Sequence, residues 1–290
     1  MAVTRLRFYG TGNGTYFIDL AQALSLHHRR LHRQKQIYTV YGGHMFDALA
    51  DGNQGHSSFK LNTAPMTWTA KAAVNRGFRI WKRMIAETLK NSDSATTGKY
   101  NDFKVRLNHG TSNYLLPKDA NDNDLPSAEW NYSTLTAEDP SSPDTYDLQI
   151  VGPHAGSAGS FTQVSLLQSW LDTRPEMSAT TQPDMPADYN VDPLINLLNE
   201  GDIGTDRLNV IDEEGDRPPY DEDEVFGTAA DASDLENNLQ RVSFGATSLA
   251  NPTGMFPGFQ ALCGLVQLNV AGQSTAWEII IDVESKGEAF

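Results

Sequence analysis

The residues of this chain best suited to a chemical task are cations, and they come in two runs. Arg29, Arg30, Arg33 and Lys35 lie within seven residues, with His27, His28 and His32 among them. Further on, Arg76, Arg79, Lys82, Arg83 and Lys90 alternate with Phe78 and Trp81. Guanidinium and ammonium groups bind phosphate oxygens whatever the bases, so such runs suit nucleic-acid contact without sequence specificity. The competing reading of the second run is an ordinary amphipathic helix with a solvated basic face. The sequence shows no long Arg/Lys tail, so genome-type contact would have to come from a folded surface.

Other constellations fall short of catalysis. Gly10, Gly12 and Gly14 follow a strand-like run, but a dinucleotide fingerprint needs G-x-G-x-x-G and position 15 is Thr15. A turn is the better reading. His28 and His32 are four apart and could share a metal, yet Arg29, Arg30 and Arg33 would repel a cation and no carboxylate or cysteine lies nearby in sequence. Ser157 and Ser160 sit near His154 without the spacing of a nucleophile elbow. The acidic stretch Asp212, Glu213, Glu214, Asp216 and Asp221–Glu224 could collect calcium, but its spacing matches no EF-hand, so solvated charge is expected. The expectation is a protein without an active site, cofactor or metal.

Charge is divided unevenly along the chain. Residues 1–118 hold 17 Lys+Arg against 6 Asp+Glu, residues 119–290 hold 5 against 31, and the whole carries −15. A split of this size predicts two faces with different partners, the basic one attracting phosphate backbones and the acidic one repelling them. Hydrophobic content of 39% is enough for a real core. The single cysteine, Cys263, sits among Ala261, Leu262, Leu265 and Val266 and reads as a small buried hydrophobe. No stretch approaches the ~20 apolar residues of a membrane span, and the N-terminus lacks a signal-peptide core.

The elements that must position the cations follow from periodicity. Residues 3–9 alternate as a strand and 10–14 form a turn. Leu20, Leu24 and Leu31 share a face of a helix expected over about 18–33. Strands are expected at 37–46 and 56–61. Ala70, Val74, Trp81, Ile85 and Leu89 keep helical spacing over 67–90, with Gly77 weakening the middle. A strong strand is expected at 102–107, then loop chemistry, then strands at 146–152 and 160–171. Asp192 and Pro193 open a helix expected over 192–200. Three final strands close the chain (RVSFGA, FQALCGLVQLNV and AWEIIIDVES). Short strands with long connections predict an all-β antiparallel sandwich, of the jelly-roll kind that tolerates long loops, with one or two helices in the N-terminal half.

Four segments carry a family resemblance. IDLAQALSLHHRRLHRQKQIYTV (18–40), TAPMTWTAKAAVNRGFRIWKRM (63–84), KYNDFKVRL (99–107) and FPGFQALCGLVQLNV (256–270) resemble blocks of capsid (coat) proteins of small circular single-stranded DNA viruses, the environmental Rep-encoding lineages. The chain departs from that pattern at Leu262, where the family often has Pro, in its ending SKGEAF, which lacks the family's usual longer tail, and in its acidic second half. The resemblance implies a jelly-roll shell subunit located in the virion, with a single-stranded DNA genome as partner.

The reading is then one jelly-roll domain over 1–290, with a basic segment at 1–36 and long surface-loop insertions at 108–145 and 200–238. It assembles with copies of itself into an icosahedral shell. Arg29, Arg30, Arg33, Lys35, Arg76, Arg79, Lys82 and Arg83 face nucleic acid, and acidic loops point outward toward solvent or a host-cell receptor, with no membrane involved. The alternative is a soluble jelly-roll module that binds carbohydrate or calcium.

Overall fold

The computed structural model describes residues 3–49, 56–91, 102–172 and 239–289, apart from 109–110, 112–113, 128, 137–144, 158–159, 249 and 273. The helix expected at 192–200 and the acidic stretch at 211–224 lie outside the described residues.

Eight strands form two four-stranded antiparallel sheets. The first sheet runs in the order β1 (Thr4–Thr11), β12 (Ser274–Ala289), β3 (Gln36–Leu49), β10 (Thr253–Leu262). The second runs β2 (Gly14–Asp19), β11 (Leu265–Ala271), β4 (His56–Thr63), β9 (Gln240–Ser248). Every step along the chain from one of these strands to the next crosses between the sheets, except β4 to β9. That one step carries α2 (Trp68–Asn91), a small sheet of β5 (Thr134–Thr136), β6 (Thr145–Gln149), β7 (Ala155–Ser157) and β8 (Ser160–Ser165), and α3 (Leu166–Asp172). The protein is therefore an all-β sandwich with its helices confined to connections.

Strand alternation makes the core. Leu6 and Phe8 on β1, Tyr38, Val40 and Met45 on β3, and Trp277, Ile279, Ile281 and Val283 on β12 turn inward. They meet Ile18, Phe59, Leu61, Val266 and Leu268 of the opposite sheet. Because side chains alternate across a strand, the neighbours Phe17 and Leu265 point the other way. They join a second core with Val74 of α2, Phe103, Val105, Leu148 and Leu167. Thus α2 packs on the outer face of the second sheet and holds its basic side away from it.

Local chemistry explains where the elements differ from the sequence expectations. The helix expected at 18–33 is α1 (Leu20–His28), preceded by the end of β2. Asp19 caps it: Oδ1 accepts from Ala21 N at 3.0 Å and Gln22 N at 3.1 Å. Residues 102–107 are extended, with Phe103, Val105 and Leu107 buried, but no ladder strand forms. Their amides go largely to side chains, Lys104 N to Ser133 Oγ and Val105 N to Gln34 Oε1. The run 160–171 divides into β8 and α3, because Leu166 seats on Gly77 of α2. A Cβ at Gly77 would lie 2.6 Å from Leu166 Cδ2, so the residue that weakens the helix is the one that lets α3 dock.

The apolar run FQALCGLVQLNV is two strands, not one. Gly264 N donates to Ala261 O at 3.2 Å, with Cys263 at φ 58° and Gly264 at φ 71°, and the chain passes there from the first sheet to the second. Part of the insertion expected at 108–145 is tied to the sandwich edge: Leu115 N donates to Phe17 O at 2.9 Å and Lys118 N to Arg7 O at 2.8 Å.

Candidate functional site

Two segments far apart in sequence build one basic surface. Arg33 and Lys35 lead from α1 into β3, while Arg79 and Lys82 stand on the exposed side of α2. Lys35 Nζ lies 3.8 Å from the centre of the Phe78 ring, a cation–π contact that fixes the junction. Burial, and then the neighbouring Lys82, Arg79 and Arg33 cations, pull the Lys35 ammonium below its ordinary value, against the opposing pull of Asp102. Arg33 reaches Asp102 only at 3.7 Å, and Arg79 and Lys82 have no ion-pair partner among the described residues. Among the described residues the cluster is crowded with like charge that is largely uncompensated.

The other cations of the two runs are placed differently. Arg83 pairs with Glu87 one turn on, at 3.2 Å, both side chains well exposed, a pair of small energetic weight. Arg76 is exposed on α2. Arg30 Nε donates to His32 Nε2 at 3.1 Å. Arg29 ends α1 in the left-handed region at φ 52°. It lines a separate cleft of about 360 Å³ with Arg5, Arg7, His27 and Lys118. There most cations are already matched: Arg5 to Asp282 at 2.8 Å, Arg7 to Glu278 at 2.6 Å and Asp122 at 2.7 Å, Lys118 to Asp124 at 2.9 Å. The structure thus brings Arg33, Lys35, Arg79 and Lys82 together and sets Arg29 apart.

Histidines at the end of α1 form a hydrogen-bonded row that braces the basic segment. Arg30 can only donate, so His32 Nε2 must accept, and His28 Nδ1, 3.0 Å away, must donate to it. His28 Nε2 is then free to accept from Thr4 Oγ1 at 2.9 Å. Burial first, then Arg30 and His28, pull His32 down to about 4. Among the described residues no group of three or more His, Cys, Asp or Glu is placed to hold a metal ion, and no helix is long and apolar enough to cross a membrane.

Sequence reasoning missed the group that holds this region in place. Asp19 is buried, and its Oδ2 accepts from Gln34 Nε2 at 2.8 Å and Trp130 Nε1 at 3.0 Å. Gln34 in turn accepts from Val105 N at 2.6 Å. Gln34 lies between Arg33 and Lys35, so these bonds anchor the backbone that carries both cations. Burial raises the Asp19 carboxyl to about 6 against four hydrogen bonds that favour its charged form. An Asp immediately before an apolar helical run is an N-cap signal, and a helix start placed at Ile18 hid it. Asp102, the counter-charge at Arg33, carried no local signal.

Compared with protein-family models, with curated proteins and with solved structures, the chain gives no match.

Proposed function

We propose that this chain is a capsid subunit: a jelly-roll sandwich that associates with copies of itself into a closed shell and turns its Arg33–Lys35–Arg79–Lys82 surface toward nucleic acid. The observation that carries the reading is the basic cluster joined by Lys35 on Phe78, and the strand order is compatible with it. Taking the eight sandwich strands in chain order, one sheet reads first, eighth, third, sixth and the other second, seventh, fourth, fifth. Such interleaving is what two nested Greek keys produce, and shell-forming coat domains use that arrangement. Lectin and cupin domains share it, so the fold alone supports the carbohydrate- or calcium-binding alternative equally.

The basic cluster favours the capsid reading. A carbohydrate or calcium site needs a cleft with convergent polar groups or carboxylates; in the described cleft Arg5, Arg7 and Lys118 are each already paired with a carboxylate. Four crowded cations suit a polyanion, whose phosphates relieve their mutual repulsion and release counterions. The test is electron microscopy and light scattering on the purified full-length chain, with and without added single-stranded DNA. Uniform closed particles are the expected result. A species that stays small under all assembly conditions, with or without DNA, would remove the proposal and leave the ligand-binding module.

A further inference from the structure

The outer face of the first sheet has two unlike halves. Along β1 and β12 its side chains are ion-paired, Arg5 with Asp282 and Arg7 with Glu278. Along β3 and β10 its most exposed large side chains are apolar. The pairing register sets Phe46 opposite Thr253 and His44 opposite Met255, with Ile280 of β12 beside His44. Met255 is 80% exposed, Tyr41 54% and Phe46 41%. Exposed large apolar side chains gathered on one strand pair differ from the scattered ones any surface carries.

We propose that this β3–β10 half-face is the surface on which a second copy of the chain docks, an inference that rests on the self-assembling reading above. Charge argues for that occupant. A chain of net charge −15 repels its copies, so a copy–copy contact belongs where charge is lowest. Here the titratable groups are His44, which packs edge-on against Phe46, and Glu284, held by the Tyr41 hydroxyl. The ion pairs on the adjoining half cancel one another. Among the described residues a nucleic acid would find no uncompensated cation on this half. Pro257 in β10 cannot donate to an added strand, so the contact is face to face and not an extension of the sheet.

The test is sedimentation of wild-type protein, Met255→Asp, Phe46→Asp and Arg5→Ala over a range of concentrations, with circular dichroism to check folding. Met255 is exposed enough that Met255→Asp leaves the isolated subunit folded. Burying that carboxylate without a partner should raise the concentration needed for association by roughly tenfold or more, while Arg5→Ala, on the ion-paired half, changes little. Folded Met255→Asp protein that assembles as readily as wild type would overturn the inference and leave the capsid reading standing. A wild-type dimer that never closes into a shell, and that Met255→Asp dissociates, would uphold the inference while removing that reading. A wild-type chain that is monomeric at every concentration would overturn both.

Discussion

Lys35 rests over the ring of Phe78, 3.8 Å from its centre, and so joins the two basic runs into a single surface. The contact explains why a lysine can stand beside Arg33, Arg79 and Lys82: the ring face offsets part of the burial and repulsion that together pull its ammonium down.

Binding of single-stranded DNA should depend on salt through this cluster. Each phosphate contact with a single strand contributes about 0.7 to the slope of log K against log salt. The triple variant Arg33→Ala, Arg79→Ala, Lys82→Ala should therefore lose about 2 from that slope. Arg5→Ala should leave it unchanged, because that guanidinium is already engaged by Asp282. Fluorescence titrations at several salt concentrations measure both, and equal slopes for the triple variant and wild type would exclude the cluster as the binding surface.

Asp19→Asn should destabilise the fold although it preserves size. Both carboxylate oxygens accept, from Ala21 N, Gln22 N, Gln34 Nε2 and Trp130 Nε1. An amide nitrogen in place of one oxygen would face a donor that has nothing to give to. Leaving a buried donor unmatched costs about 1–3 kcal/mol. Urea denaturation followed by far-UV circular dichroism reads the loss, and a midpoint equal to that of wild type would contradict the hub.

Acid sensitivity should separate two opposed groups. His32 is held at about 4 in the fold, below the ordinary ~6.5. Between those values the unfolded chain binds a proton that the folded chain refuses, so this group makes stability rise with pH and fall on acidification. Asp19 is raised to about 6 from 3.8. Its folded form binds the extra proton in that window, so it makes stability fall as pH rises. His32→Gln keeps an acceptor for Arg30 and removes only the first effect. Between about pH 7 and about pH 4.5 the variant should gain stability relative to wild type. Denaturation midpoints that move in parallel for the two proteins across this range would count against it.

Two glycines with the same backbone angle should respond differently to alanine. Gly12 has φ 72° with nothing within 4 Å of an added Cβ; Gly264 has φ 71° with the Tyr38 ring at 2.8 Å. Gly12→Ala should lose about 1 kcal/mol from the left-handed backbone alone. Gly264→Ala should lose roughly 3 kcal/mol, since the buried Tyr38 ring must also shift. Thermal melts of both variants compare them directly, and equal losses would mean that the turn next to Cys263 is looser than its geometry requires.

Much of the fold is legible in the sequence where the signal is local. Alternation through Leu6 and Phe8 marks β1, and the spacing of Ala70, Val74 and Trp81 marks α2 within one or two residues of its observed start. Where an element depends on what it packs against, the sequence misleads. The run 259–270 reads as one strand because it is nearly continuously apolar, and nothing local says that the turn at Cys263 sends its halves into different sheets. The stretch 102–107 has strand composition, yet its Lys104 and Val105 amides are taken by Ser133 and Gln34 from elsewhere in the chain, and Arg106 alone makes a bridge, to Gln149.

The amino-acid sequence by itself determined which residues are charged and how those charges are spaced, since both are properties of single positions and their near neighbours. Only the tertiary structure decided which charges remain available. Arg5 meets Asp282 across 277 positions and is satisfied, whereas Arg79 and Lys82 find no carboxylate among the described residues. Coulombic pairing acts over a few ångströms of space, and the folded backbone alone sets those distances.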